Sequence, residues 1–139
     1  MSTPEHSDTT GLILSFMDSI RREMQSELPE ACSFMHVKAL DFISREKSPS
    51  MRDIAEFLRI TSPGATMIVD KLVENGELDR KADPADRRVV RLVVTTKGRV
   101  TLETGMKVIK KLIAKRLSSL SRIEQIRFAS ILEKLIKTN

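Results

Sequence analysis

The apolar positions of the chain keep a helical period up to residue 76, switch to runs of β-branched residues, and then return to a helical period. Leu12, Ile13, Phe16, Met17, Ile20 and Met24 recur at three- and four-residue spacing, which predicts a first helix near 9–27. Leu28-Pro29 ends it, because the residue before a proline is pushed out of the α region. Residues 1–9, with Pro4 and several Ser, Thr and Asp, read as a frayed tail. Ser33 caps a second helix through Phe34, Val37, Leu40, Phe42 and Ile43, and Lys47-Ser48-Pro49-Ser50 breaks it. Ser50 with Asp53 forms a capping box for a short third helix whose apolar side is Met51, Ile54, Ala55 and Leu58. Only Arg59 and Ile60 separate that helix from Thr61, an N-cap followed by Ser62 and by Pro63 in the first turn. The fourth helix runs to Glu74, and Asn75-Gly76 supplies a left-handed stop.

Beyond Gly76, Leu78 and Arg80 and then Val89–Thr95 read as two strands, joined by the turn-forming, charged segment Ala82–Arg88. Lys97-Gly98 leads into a long fifth helix with Leu102, Met106, Ile109, Leu112, Ile113 and Leu117 on one side and Lys107, Lys111 and Lys115 on another. Ser121 with Glu124 is a second capping box and opens a sixth helix carrying Ile126, Ala129, Leu132, Leu135 and Ile136. The fold class expected is mainly α with a small β-hairpin. The 139 residues fit one domain with a real core, or two very small lobes.

Composition narrows the chemistry. No apolar run approaches the ~20 residues of a membrane span, and no charged-then-apolar leader precedes the first helix. One cysteine, Cys32, cannot form an intrachain disulfide, which fits a reducing cytoplasm. Cys32 and His36 are spaced like a metal pair, but two histidines and one cysteine are too few for a zinc cluster, so no metal is expected. Five glycines without a Gly-rich loop give no phosphate cradle, and no nucleophile–base pair is visible, so neither a cofactor nor an enzyme is expected. The net charge of +5 is unevenly spread. Residues 1–30 hold six acids and two bases, whereas residues 101–139 hold nine bases and three acids. Solvated faces that happen to differ explain this, and so does packing of the two ends together or contact of the basic part with a polyanion.

The central order is helix, tight turn, helix and hairpin, with Arg87 and Arg88 at the hairpin tip. A helix pair alone is weak, since it occurs in proteins that bind nothing. A groove-sized helix beside a basic hairpin is what duplex DNA requires, given one phosphate charge per ~1.7 Å of axis.

Residues 33–98 resemble the winged helix-turn-helix core of the MarR transcriptional regulators. Ser50 through Leu58 match the first helix of the motif, and Thr66 through Gly76 match the recognition helix and its stop. Arg80, Asp86-Arg87-Arg88 and Leu92 through Gly98 match a wing with an Asp-x-Arg tip, ending in a Thr-Lys-Gly turn. The flanking helices match in length and position. The resemblance implies a single chain of residues 1–139. In it, 33–98 form a DNA-binding lobe, and 9–32 with 99–139 are dimerisation helices that interlock two copies. It implies a cytoplasmic transcriptional regulator, a repressor acting as a homodimer on a pseudo-palindromic operator in double-stranded DNA. It also implies release by a small-molecule effector held between the dimerisation helices and the DNA-binding lobe, near Phe16, Ile20, Phe34, Met35, Met51 and Leu102. The reading from another class is a winged-helix protein-interaction module that has lost specific DNA binding.

On a helical wheel Ala65, Ile68, Val69 and Leu72 face the core, while Pro63, Thr66, Met67, Asp70, Lys71 and Glu74 point away. The expected DNA-binding residues are Ser62, Pro63, Thr66, Met67 and Lys71 on the recognition helix. Ser62 and Thr66 would donate to bases or phosphates, Met67 and Pro63 would touch apolar groups, and Lys71 would reach a phosphate or guanine. Met67 stands where the family commonly has a polar residue, and Gly64 lies in the first turn, so readout should lean on the wing and on DNA shape. In the wing, Arg88 corresponds to the arginine that enters the minor groove in relatives, with Arg87 beside it. Asp86 is expected to orient an arginine, either Arg88 or Arg80. Arg52 and Lys97 are expected phosphate contacts. Cys32 is expected to be chemically silent, since relatives that sense peroxide carry their cysteine in the first helix with tyrosine partners, and this chain has no tyrosine.

Overall fold

A computed structural model of the chain describes residues 8–30 and 32–138. The tail expected over residues 1–9 lies largely outside the described residues, including Pro4 and His6. Its last two positions are ordered: Asp8 is an N-cap whose carboxylate accepts from the Thr10 N–H, and the helix begins at Thr9. The elements are α1 (Thr9–Glu27), α2 (Phe34–Arg45), α3 (Met51–Leu58), α4 (Ser62–Glu74), β1 (Leu78–Ala82), β2 (Val90–Val94), α5 (Thr96–Leu117) and α6 (Arg122–Lys137). This is the expected mainly helical chain with one antiparallel hairpin. Leu78 pairs with Val94, Arg80 with Leu92 and Ala82 with Val90.

The capping side chains act as their spacing predicts. Ser50 and Asp53 exchange bonds at the start of α3, and Ser121 and Glu124 do so at the start of α6. Ser33 and His36 form a third box, with His36 Nδ1 accepting from the Ser33 N–H at 3.2 Å. That bond gives His36 a structural role at a helix start, where the sequence showed only a metal-like spacing with Cys32.

One core holds the central lobe. Leu40 from α2, Ile54 from α3, Val69 and Leu72 from α4, and Leu78 from β1 are fully buried, and Leu92 and Val94 of β2 close it. The expected inner face of α4 is realised, with Ala65, Val69 and Leu72 buried and Ile68 half-buried against the same cluster. Phe42 and Phe57 stack at 4.3 Å between ring centroids, joining α2 to α3. A smaller cluster of Leu28, Val37 and Ile109 joins α2 and the end of α1 to α5.

The end of α4, the start of the hairpin and the start of α5 meet at one junction. Gly76 adopts φ +75, the left-handed stop, and the Glu77 N–H reaches back to the Leu72 carbonyl at 2.8 Å. Thr95 caps α5 by accepting from the Gly98 N–H at 3.0 Å, and its own hydroxyl donates to the Gly76 carbonyl at 2.7 Å. Lys97 Nζ donates to the Asn75 carbonyl at 2.6 Å. The segment expected to be a turn closing the wing, Thr96-Lys97-Gly98, is therefore the first turn of α5, and the expected lobe boundary at 98/99 falls inside that helix. Gly98 packs directly on Glu77: a Cβ there would lie 2.1 Å from the Glu77 carbonyl oxygen. Glu77 is itself buried, with its carboxylate accepting from Thr101 Oγ1 at 2.7 Å.

The acidic start and basic finish of the chain meet within one molecule. Arg116 of α5 bonds Glu23 of α1 (Nε to Oε2, 3.1 Å) and donates to Ser19 Oγ at 2.7 Å. The Arg116 hydrogen bond holds the Glu23 carboxyl below the usual carboxylate range. In contrast, α6 buries no residue in its own chain, and α1 buries none along its helical span.

Gly98→Ala places its methyl group on a backbone carbonyl that cannot swing aside. The expected outcome is destabilisation by about 3 kcal/mol or more, read as a shift of the denaturant midpoint. An unchanged midpoint would show that the junction relaxes and is not a constraint.

Candidate nucleic-acid interface

α4 buries one face and exposes the other. Thr61 caps it by accepting from the Gly64 N–H at 3.2 Å. Ser62, Pro63, Thr66, Met67, Asp70 and Lys71 are all exposed, so the structure brings the five expected recognition residues onto the outer side of one helix. Met67 is 73% exposed. Two local details of this helix add to those expectations. The Thr66 hydroxyl donates to the Ser62 carbonyl at 3.0 Å, so its proton is committed within the helix, leaving an accepting oxygen and a methyl group outward. Gly64 is half-buried and faces inward, since a Cβ there would sit 3.2 Å from Thr61 Oγ1 and 3.6 Å from Ile60 Cδ1. It is not an outer position stripped of a side chain. Lys71 Nζ lies 3.3 Å from Glu74 Oε2.

The hairpin tip is organised by Asp83, which the sequence offered only as a turn former. Asp83 is buried and accepts from the Ala85 N–H at 2.7 Å, from the Asp86 N–H at 3.4 Å, and from Arg91 Nε of the returning strand. The Ala85 bond, with help from Arg91, lowers its carboxyl despite the opposing effect of burial. Asp86 takes the Arg88 N–H at 3.0 Å and the Arg88 guanidinium at 3.2 Å. The backbone bond first and the guanidinium second lower its carboxyl as well. Of the two expected partners of Asp86, the structure selects Arg88. Arg80 is not part of the tip: it pairs with Asp70 of α4 and ties the base of the hairpin to the outer side of that helix. Arg88 projects outward with its side chain 92% exposed, and Arg87 is exposed without a hydrogen bond or ion pair among the described residues.

The two expected phosphate contacts separate. Arg52 on α3 is exposed and pairs with Glu56 at 3.0 Å. Lys97 has its ammonium on the Asn75 carbonyl, where it satisfies the open end of α4. The residues that sequence reasoning missed are Asp83, Asp70 and Glu77. Each is an acid with a partner on another element, Arg91 for Asp83, Arg80 for Asp70 and Thr101 for Glu77, and no local spacing marks those meetings.

Cys32 is half-buried, and burial, followed by the charge of Glu77, pushes its thiol up. A protonated thiol is a poor nucleophile, which agrees with a silent role. Cys32, Phe34 and Met35 line a cleft of about 520 Å³ with Met24, Leu28 and Arg21. Phe16 is exposed on α1, and Leu102 lines a different cleft, so the structure does not bring together the six residues expected around one effector. No described helix is long and apolar enough to cross a membrane.

A family model described as MarR family matches residues 33–89. The chain is 31% identical over 97 residues to the HTH-type transcriptional regulator BilQ of Clostridium symbiosum, covering 70% of this chain and 67% of that one. It is 28% identical over 93 residues to the HTH-type transcriptional repressor MdtR of Bacillus subtilis, covering 67% and 60%. Among solved structures, YusO of Bacillus subtilis superposes with a TM-score of 0.77 at 23% identity, covering 99% and 100% of the two chains. BpsR of Bordetella bronchiseptica, whose DNA binding is regulated by 6-hydroxynicotinic acid, superposes with a TM-score of 0.78 at 17% identity over the whole of both chains. At such identities the structures establish the fold alone.

Asp83→Ala removes two backbone acceptor bonds and the Arg91 partner at once. The expected outcome is faster amide exchange at Ala85 and Asp86, by about tenfold, with the helical core unchanged. Both wing carboxyls are lowered, so their contribution is present above about pH 4, the ordinary unfolded value, and fades as pH falls through the folded values. Wild-type tip protection that persists unaltered in Asp83→Ala would show that Asp83 does not organise the wing.

Proposed function

The chain belongs to the MarR family, and from that premise we propose that it regulates transcription as a homodimer on a pseudo-palindromic DNA operator, as a repressor released by a small molecule. The observation that carries the DNA reading is the pairing of an outward α4 face with a hairpin whose tip exposes Arg87 and an Arg88 held by Asp86, and whose first strand is clamped to α4 by Arg80 and Asp70. In this reading α4 enters the major groove with Ser62, Pro63, Thr66 and Met67 foremost. Thr66 and Met67 offer methyl groups suited to thymine, and Ser62 offers a hydroxyl. Arg88, held by Asp86, enters the adjoining minor groove, where a narrow A·T-rich segment concentrates negative potential. Arg87 serves the phosphates. Lys97, committed to α4, is withdrawn from this set, and Arg52 serves the backbone from α3.

The homodimer rests on apolar surface that one chain leaves uncovered. Leu12, Ile13 and Met17 on α1 are exposed, and so are Ile126, Leu135 and Ile136 on α6. Contiguous apolar area of this kind on a water-soluble chain marks an interface. Two copies interlocking through α1, α5 and α6 cover it and set two recognition helices about one helical turn, ~10 base pairs, apart. The effector reading is supported by the cleft lined by Met24, Leu28, Cys32, Phe34 and Met35 beside Arg21, between α1 and α2. A relative's complex with salicylic acid, that of Rv2887 of Mycobacterium tuberculosis at 22% identity, shows the fold holding such a molecule. The cleft is partly apolar and carries Arg21, which pairs with Asp18 at 3.0 Å, together with Glu30 and His36, a mixed lining that suits a small organic molecule with both an apolar and a polar part.

Light scattering of the free protein is expected to give twice the mass of one chain, and Ile126→Glu with Leu135→Glu is expected to give monomer or insoluble protein. A wild-type monomer at micromolar concentration contradicts the dimer. On DNA, Arg88→Ala is expected to weaken operator binding by about 1–3 kcal/mol and to flatten the preference for A·T-rich flanks. Lys71→Ala is expected to weaken all sequences alike and to lower the salt slope by about one unit per subunit. The measurement is a salt titration of an operator selected from genomic fragments against a scrambled duplex. Equal, weak binding to both by the wild type would favour the protein-interaction module instead.

A further inference from the structure

Arg59 stands where its turn favours a glycine. Its backbone is left-handed, at φ 57 and ψ 44. The Arg59 N–H bonds the Glu56 carbonyl at 3.2 Å, and the Ile60 N–H bonds the Ala55 carbonyl at 3.0 Å. These paired bonds close a helix through one left-handed residue. The same closure ends α4, where the Gly76 N–H bonds the Val73 carbonyl at 2.9 Å and the Glu77 N–H bonds the Leu72 carbonyl at 2.8 Å. There the left-handed residue is Gly76, at φ 75. The chain thus uses one device twice, with glycine in the second copy and arginine in the first. A left-handed L-residue sets its Cβ against the following carbonyl, a cost that glycine escapes and asparagine partly offsets.

Among the described residues, none engages the Arg59 side chain in a hydrogen bond or ion pair, and it is exposed. It lines a cleft of about 780 Å³ with Arg52, Glu56, Thr61 and Ser62, between α3 and the first turn of α4. Arg52 is engaged by Glu56 there, which leaves Arg59 as the uncommitted cation of that cleft. The strained backbone also fixes where the side chain starts, since the two closing bonds and the packing of Ile60 on the core hold the turn.

We propose that Arg59 is a phosphate-gripping residue that holds the DNA backbone beside the first turn of α4, and that its side chain is the reason arginine replaces glycine in this turn. The inference rests on the DNA reading above and adds to it a contact that the helix face and the wing do not supply. A guanidinium keeps its charge at every working pH and meets a phosphate through two parallel N–H bonds. Such a contact carries no sequence information but sets register and orientation. From this turn it fixes the depth at which Ser62 and Pro63 approach the base edges. Arg59 lies in the turn before α4 and Arg87 in the hairpin tip beyond it, so phosphate contacts flank the helix on both sides in the chain.

The test uses the full chain and a labelled mixed-sequence duplex of about 30 base pairs, titrated across 50–200 mM salt, where phosphate contacts dominate affinity. The variants are Arg59→Gly, Arg59→Asn and Arg59→Lys. Glycine and asparagine suit the left-handed backbone, so their melting temperatures are expected to equal or exceed that of the wild type. Their affinities are expected to fall about five- to tenfold per subunit, with the salt slope reduced by about one unit per subunit. Arg59→Lys is expected to keep the slope. Wild-type affinity and slope in the glycine and asparagine variants, beside a wild type that binds, overturn the role of Arg59 and leave the DNA reading standing. A melting temperature that falls in step with affinity also overturns it, because structure rather than a phosphate contact would then have been lost. A wild type that does not bind at low salt overturns the DNA reading and this inference together.

Discussion

The contact of Gly98 with the Glu77 carbonyl is the constraint on which the geometry of the lobe depends. A hairpin on two strands is marginal alone and needs a support against which to hold its angle. Here the support is the first turn of α5, brought so close that only a glycine fits between the two backbones. Thr95 then joins the same three elements from its side chain, donating to Gly76 while capping α5. Lys97 closes the open end of α4. Helix, wing and long helix are therefore one rigid joint.

Charge in this molecule divides between holding the fold and facing outward. Arg80, Arg91, Lys97 and Arg116 each bond an acid or a carbonyl on another segment, and all four act as fasteners. Among the described residues Arg87 and Arg59 have no such partners, one in the hairpin tip and one in the turn before α4. Arg88 is intermediate: it is bound to Asp86, yet almost fully exposed. Exposed pairs of that kind contribute little to stability. Asp86 therefore acts on the orientation of the Arg88 guanidinium rather than on stability.

The opposite net charges of the two ends are not an argument for a second copy. The acidic first segment and the basic last segment are matched inside one chain, by Glu23 with Arg116 and Lys115. What points to a second copy is instead the absence of burial on α1 and α6, where isoleucine and leucine face water. The same fact explains why the expected effector residues do not converge in a single chain. Phe16 lies on the uncovered side of α1, whereas Phe34 and Met35 already line a cleft with the end of that helix.

Most of the architecture was legible because its signals are local. The boundaries of α1 through α4, the three serine caps, the stop at Gly76 and the inner face of α4 follow from residues three or four apart, and such neighbours meet in any context. The outer face of α4 was legible for the same reason, as the complement of its buried side. The distant partners of the charged side chains were not legible. Arg80 reaches Asp70 across 10 residues, Lys97 reaches Asn75 across 22, and Arg116 reaches Glu23 across 93. Sequence spacing carries no trace of such meetings, because they exist only once the core has set the angles between elements. Hence Lys97 reads as a free cation in the sequence and is a helix cap in the fold, and Asp83 reads as a turn former and is the hub of the wing. The sequence determined which segments are helix, strand and stop; tertiary packing alone decided which cations fasten the molecule and which remain to meet a partner.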